Sequence, residues 1–433
     1  MTDPAWIHAA LSAARPEAVG ALLRYFRDLD LAEEAYQEAC LRALRTWSEK
    51  GPPREPASWL IMVGRNAALD QVRRQSRTQA LPPEEILSDT DDVETGRAEQ
   101  LDAAHYRDDV LRLLFICCHP DLPATQQIAL ALRIVSGLTV KEIARAFLVG
   151  ERAMEQRITR AKRRIANGTQ PFETPGPNER MERAGVVAAM IYLLFNEGYS
   201  ASGGEAHIRL SLCDEAIRLA RLLLRIFPGE PEIMGLLALM LLQHARSTAR
   251  LDGEGGIVLL EDQDRTAWNR EMIGEGLALV EKAFRHKRPG AYQIQAAIAA
   301  LHARAARPEE TDWAEIEVLY GMLERINPSP VITLNRAVAV SKVQGAEAAL
   351  AMIEPLAAPL SGYFHFFGLK GALLMQLGRA KEAREAFGQA IALARTPAEA
   401  AHIRMHLDRL AADGAAGKPK GAVGRTGGKS RKV

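Results

Sequence analysis

Apolar residues recur at three- and four-residue spacing along almost all of this 433-residue chain. No stretch alternates β-branched with polar residues for long enough to propose a strand. That regularity predicts an all-α fold. At about 100–200 residues per domain the length implies two to four units, and the breaks in periodicity say where they divide. A first helical unit occupies 1–78, interrupted by the Gly51-Pro52-Pro53 turn. The segment 79–105 loses periodicity and is acidic around Asp89, Asp91, Asp92 and Glu94, which reads as a linker. A second helical unit covers 106–170, closed by Pro171, Pro175, Gly176 and Pro177. Alanine- and leucine-rich helix fills 171–413, and the glycine- and lysine-rich tail 414–433 buries too little apolar surface to fold alone and is expected to be disordered.

Charge location is more informative than the formal net charge of +1. Basic residues gather at 65–77, at 152–164 and after Asp413, and acidic ones at 84–102, a pattern suited to patchwise contact with nucleic acid. Cys40, Cys117, Cys118 and Cys213 form no CxxC pair. Neighbouring helical side chains point about 100° apart, so Cys117-Cys118-His119 is expected to be buried thiol chemistry and not a metal site. The longest apolar stretch, Leu236 to Leu242, falls well short of the roughly 20 residues that span a bilayer, so a cytoplasmic protein without membrane contact is expected. No catalytic triad, phosphate loop or metal-ligand cluster suggests an enzyme or a cofactor.

Residues 138–165 have the pattern of a helix-turn-helix. Thr139 and Glu142 carry capping-box spacing, Ile143 and Ala144 supply an apolar face, and Leu148-Val149-Gly150 makes the turn. In the second helix Met154, Ile158, Ala161 and Ile165 face inward, leaving Arg152, Glu155, Gln156, Arg157, Arg160, Lys162 and Arg163 outside. Six basic residues against two acidic ones between 151 and 166 favour nucleic acid over an ordinary solvated face. In a major groove, Arg reads guanine edges, Gln can read adenine, and the later basic residues hold phosphate.

The C-terminal region repeats with a period of 34: Ala337, Val340, Ala349, Ile353 and Leu356 are followed by Gly371, Leu374, Ala383, Phe387 and Ala390. This is the tetratricopeptide period, with small residues where paired helices cross. Looser second-helix halves occur at Ala216–Pro228 and Ile316–Pro328, while Lys370 and Arg395 depart from the pattern. For 180–300 a non-repetitive bundle stays open.

Two segments of the first unit carry a resemblance. Ala32-Glu33-Glu34-Ala35-Tyr36-Gln37-Glu38-Ala39-Cys40-Leu41-Arg42-Ala43 resembles the polymerase-binding helix of extracytoplasmic-function sigma factors. Trp59-Leu60 and Arg65-Asn66-Ala67-Ala68-Leu69-Asp70 with Arg73-Arg74 resembles the segment of that family that reads and melts the −10 promoter element. Gly137 to Ala144 and Arg157 to Lys162 resemble its −35 helix-turn-helix, so the likeness covers about 10–168. It implies RNA polymerase core enzyme and promoter DNA as partners. Glu33, Glu34, Gln37, Glu38 and Leu41 would dock on core. Arg54, Trp59, Arg65, Asn66, Asp70, Arg73, Arg74 and Arg77 would serve the −10 element. Trp59 is equally readable as a core residue, and Asn66 and Asp70 as internal hydrogen-bond partners. The reading helix departs from the family at Ala153, Glu155 and Gln156, so the family's common −35 preference does not transfer.

The extension resembles a sigma-factor subgroup with a tetratricopeptide-like C-terminal domain, on the run Tyr192 to Tyr199 and on Asp262-Gln263-Asp264-Arg265 with Trp268. Stacked helix pairs make a concave surface for a protein partner or ligand. Asn196, Glu197, His244, Arg246, Asp262, Asp264 and Arg265 are either pocket-lining or inter-helix hydrogen-bonding groups. The competing reading of the whole chain is a helix-turn-helix regulator with a repeat sensor, which leaves 30–77 without a task.

Overall fold

The structure is a computed structural model, which describes residues 5–51, 53–76, 109–119, 121–147, 149–167, 177–199, 206–250, 252, 258–394 and 397–416. The acidic linker at 79–105, Arg77 and nearly all of the basic tail lie outside the described residues. Among the described residues there are helices and short 3-10 turns and no strand, as the periodicity requires. The chain forms two compact units, 1–201 with 205–240 and 202–204 with 241–433.

The first unit opens with α1 (Ala5–Phe26), α2 (Leu29–Lys50) and α3 (Pro56–Ser76), which pack on one another as a three-helix bundle. Asp28 caps α2 by accepting from the N–H groups of Asp30 and Leu31 at 2.9 and 3.0 Å. Ala32, Ala35, Ala39 and Ala43 form a buried stripe of small residues along α2, which lets its neighbours approach closely. Trp47 closes the stripe, and the half-buried Trp59 of α3 packs edge-on against it at 5.3 Å.

The second group is α4 (helical over 109–117), α5 (Ala124–Ile134), α6 (Val140–Ala146) and α7 (Glu151–Ala166). Helices α8 (Pro177–Tyr199) and α9 (Ala206–Ile226) then form a tightly packed pair, α8 lying also on α5 and α9 on α6. Ser136 beside α5 donates to Glu215 of α9, and Arg183 of α8 sits over the Phe115 ring at 5.6 Å. The unit therefore does not end at the proline-rich segment near 171, because α8 and α9 complete the packing of the helix-turn-helix. The division falls inside α10 (Pro231–His244).

The second unit contains α11 (Arg270–Phe284), α12 (Ala291–Arg304), α13 (Trp313–Ile326), α14 (Pro330–Val343), α15 (Ala346–Ile353), α16 (Phe364–Gln376), α17 (Ala380–Leu393) and α18 (Pro397–Ala416). Each packs chiefly on its neighbours in the chain. Helix α14 begins at 330 and α16 at 364, α15 at 346 and α17 at 380, so the 34-residue period is a repeat of helix pairs. The repeating positions Ala337, Ala349, Ile353, Gly371, Ala383, Phe387 and Ala390 all lie in one core. At Gly371 a Cβ would stand 2.5 Å from the Phe387 ring, which is why the smallest residue occupies that crossing.

Candidate nucleic-acid interface

The helix-turn-helix forms as its spacing demands. Thr139 Oγ1 accepts from the Glu142 N–H at 3.2 Å and Glu142 Oε2 accepts from the Thr139 N–H at 2.8 Å, a complete capping box at the start of α6. These hydrogen bonds hold the Glu142 carboxyl below its ordinary range. In α7, Met154, Ile158, Ala161 and Ile165 are buried. Burial of a large apolar side chain stabilises by about 1.5–3 kcal/mol, so this stripe fixes the roll of the helix. Arg152, Glu155, Gln156, Arg160 and Arg163 are exposed and Arg157 is half-buried, giving a continuous charged face. Arg160 Nε donates to the Gln156 carbonyl at 3.2 Å.

On the three-helix bundle, Glu34, Gln37, Glu38, Leu41 and Arg42 of α2 line a groove of about 430 Å³ whose other wall is Ala67 and Asp70 of α3. Leu41 is 55% exposed there, an apolar anchor among acidic and amide groups. Asp70 thus shares the groove with the residues expected to dock on polymerase, although the resemblance assigned it to the −10 element. Arg65 and Asn66 are exposed on α3, and Arg54 is exposed in the preceding turn. Arg73 and Arg74 belong to the backbone of α3, but their side chains lie outside the described residues. Sequence reasoning missed Tyr25. Its ring is half-exposed with the Arg65 guanidinium 6.0 Å above it, beside a cleft of about 450 Å³ that also receives Arg24 and Arg27. An exposed aromatic flanked by arginines is the chemistry that stacks an unpaired base and holds its phosphate.

Two expected surface residues are elsewhere. Glu33 is buried, contrary to its expected exposure beside Glu34. It accepts from Arg15 at 3.1 Å and from Lys162 at 2.7 Å, and Arg133 lies 3.5 Å away. Three cations from distant parts of the sequence offset its desolvation, which is how a carboxylate is retained inside. Lys162 is correspondingly drawn off the exposed face of α7 onto Glu33 and Asp30. Burial alone would lower its ammonium, but the two carboxylates outweigh that and hold it above its ordinary range.

The motifs of the extension have internal work. Leu194 and Phe195 of α8 are fully buried, Phe195 stacks on Tyr199 at 5.4 Å, and the Cys213 thiol donates to the Phe195 carbonyl at 3.6 Å. Asn196 is hydrogen-bonded to the Tyr192 hydroxyl, and Glu197 is half-buried. Arg265, buried, donates to the carbonyls of His302 and Ala305 at 2.8 and 2.5 Å, capping the C-terminal end of α12, with its guanidinium 5.0 Å from the Trp268 ring. Asp264 accepts from the Thr266 N–H at 2.9 Å and is exposed, as is Asp262. His244 is buried and Arg246 half-buried. Cys117 and Cys118 are buried, and desolvation pushes the Cys118 thiol up to about 12. Among the described residues no cluster could hold a metal ion and no helix is long and apolar enough to cross a membrane.

A model of Sigma-70 region 2 matches residues 11–78 and one of Sigma-70, region 4 matches 112–165. These coincide with the three-helix bundle and the helix-turn-helix, and the chain belongs to the sigma-70 family, of the extracytoplasmic-function kind, with a role in promoter recognition. It is similar to Uncharacterized protein R00370 of Rhizobium meliloti (strain 1021), at 68% identity over 413 residues, 95% of this chain and 98% of that protein. A Family of unknown function (DUF6596) matches residues 183–284.

Proposed function

We propose that the chain binds RNA polymerase core enzyme through the α2–α3 groove, reads the −10 element with α3 and its preceding turn, and reads the −35 element with α7. Its C-terminal helical region regulates those steps, with a tetratricopeptide-like surface for a protein partner or ligand. The observation that carries this reading is the pairing of two different surfaces on one chain. One is an acidic and amide groove lined in part by the exposed Leu41, suited to a protein. The other is a basic helical face suited to a major groove. A helix-turn-helix regulator that never acts as a polymerase subunit has use for the second surface alone.

Run-off transcription with purified core enzyme tests the proposal. The full chain should give a promoter-specific transcript, and Leu41→Arg should abolish it while leaving binding to a −35 duplex intact. Duplex binding without any activation of core enzyme would refute it. A chain ending near Gly168 and one ending at Glu230 should differ, since only the second keeps α8 and α9 against α5 and α6.

A further inference from the structure

The segment 258–269 precedes α11, yet its partners lie far along the second unit. At its base the Asn269 N–H donates to the Ala245 carbonyl at 2.8 Å and the Val258 N–H to the Arg250 carbonyl at 2.9 Å, which fixes it beside the end of α10. Arg265 ties it to the C-terminal end of α12 through the His302 and Ala305 carbonyls. Farther out, Glu261 is ion-paired with Lys342 of α14 at 3.0 Å, and the Lys342 ammonium lies 5.8 Å from the Trp313 ring. Asp262 acts on His402 of α18. Burial and the Arg409 cation hold that imidazole below its ordinary range, and the Asp262 carboxylate opposes them.

We propose that residues 258–264 are a resident strap on the inner face of the helical repeat, and that this face takes an acidic peptide segment of a partner protein in the strap's place. The proposal rests on the protein-binding surface proposed for the extension and deepens it by naming the partner's chemistry. Its first ground is topology. Ile294 and Ile298 of α12 share a core with Ala339 of α14, α14 touches α16, and α16 touches α18, so these alternate helices form one layer. The strap meets α12, α14 and α18 of that layer. Packed helices lie about 8–10 Å apart, which in a flat layer would put α12 and α18 about 24–30 Å apart. Residues 262 and 265 are separated by at most about 11 Å of backbone. The layer therefore curves toward the strap, which lies on its concave side.

The second ground is charge complementarity. The strap presents Glu261 and Asp262 after Leu259 and Leu260, and the layer answers with Lys342, His402 and Arg409. An acidic segment from elsewhere would meet the same cations. The third is the uneven hold on the strap. Its base is buried, with Gln263 donating to the Val258 carbonyl at 3.1 Å and Arg265 and Trp268 packed inside. Its tip is open, since Leu259, Glu261 and Asp262 are all exposed. Exposed ion pairs are weak and exchange for others of the same kind, so the tip can lift while the base stays. A strap of this kind lowers the apparent affinity of a competing ligand by the fraction of open face, and loosening it raises that affinity.

The probe is a dye-labelled peptide of the strap's own sequence, Val-Leu-Leu-Glu-Asp-Gln-Asp, whose binding to the full chain is read by fluorescence anisotropy. Glu261→Gln with Asp262→Asn in the chain should tighten peptide binding about fivefold, the scale on which one or two exposed ion pairs act. Adding Lys342→Gln should remove most of that affinity. A peptide with Gln and Asn in place of its Glu and Asp residues should bind about tenfold more weakly than the acidic one. Equal binding of the two peptides, or no gain in the loosened chain with ellipticity preserved, overturns the proposal. Should that variant fail to fold, a thiol-cleavable cross-link decides the matter. It joins Glu261→Cys to Val343→Cys, both exposed positions, in a chain that keeps Lys342 and carries Cys40→Ser. The locked chain should lose the acidic peptide and regain it on cleavage, and equal binding by locked and released chains refutes the strap. Peptide binding is read without polymerase or DNA, so it stands or falls separately from the run-off assay.

Discussion

Replacing Gly64 by alanine probes how closely α2 must approach α3. A Cβ at this position in α3 would lie 2.8 Å from the Ala35 carbonyl oxygen, 3.2 Å from its carbon and 3.3 Å from Leu22 Cδ1. Alanine is better than glycine inside a helix by about 1 kcal/mol, so at an open site the change stabilises. Here the obstacle is backbone, which cannot rotate aside, and α2 must retreat by roughly half an ångström. Overpacking of this kind costs about 1–3 kcal/mol. Taking the upper end because the contact is with a carbonyl, and subtracting the gain in propensity, leaves a net loss of about 2 kcal/mol. For a unit of this size that lowers the melting temperature by about 4–8 °C. Gly185→Ala is the internal control, since nothing lies within 4 Å of a Cβ there and it should stabilise slightly. Thermal and urea unfolding of the full chain, with unchanged urea dependence, measures both. If Gly64→Ala were as stable as Gly185→Ala, the close crossing of α2 and α3 would be wrong. On the proposed function the displaced α2 should also weaken core binding more than −35 duplex binding.

Thr139→Ala removes one half of the capping box and should cost about 1 kcal/mol, read as a lower unfolding midpoint together with weaker duplex binding; an unchanged midpoint would mean that the cap is not formed in solution. Arg157→Ala and Arg160→Ala should each weaken −35 binding by about 1–3 kcal/mol if that side chain contacts a base edge, and equal losses on promoter and scrambled duplex would assign them to phosphate instead. In the second unit, burial and then the guanidinium groups of Arg246 and Arg265 hold His302 down to about 4. The unfolded chain takes up this proton near pH 6.5 and the folded chain only near 4. The stabilising effect is therefore complete above pH 6.5 and is lost as pH falls from 6.5 to about 4, on the order of 3 kcal/mol. His302→Gln should flatten that part of the stability profile, and an unaltered slope would remove His302 as its source.

What the sequence disclosed was whatever local periodicity controls. Met154, Ile158, Ala161 and Ile165 face inward because their spacing allows nothing else once one face is buried. Thr139 and Glu142 meet because they are three residues apart in a helix start, and the 34-residue step survives as a repeat of helix pairs. Long-range partners were not legible. Glu33 and Glu34 look alike in sequence, yet one is buried and the other exposed, since Glu33 meets Arg15, Arg133 and Lys162 and Glu34 meets the groove. No periodic signal announces a carboxylate whose partner is 129 residues away. Arg15 and Tyr25 carried no motif, and their roles come only from what the fold sets beside them.

The same distinction bears on how an extension can act on the DNA-handling helices. A regulator shifts an equilibrium only by binding its two states with different affinity. Helices α8 and α9 rest on α5 and α6, and α5 is also the helix whose terminal carbonyls Arg15 caps. Ser136, bonded to Glu215 of α9, stands beside Gly137, which Arg15 crosses. The first pair of extension helices therefore touches the same short turn as Arg15. A partner that moved α9 would act on Arg15 through two neighbouring residues, without needing any contact with DNA or polymerase of its own.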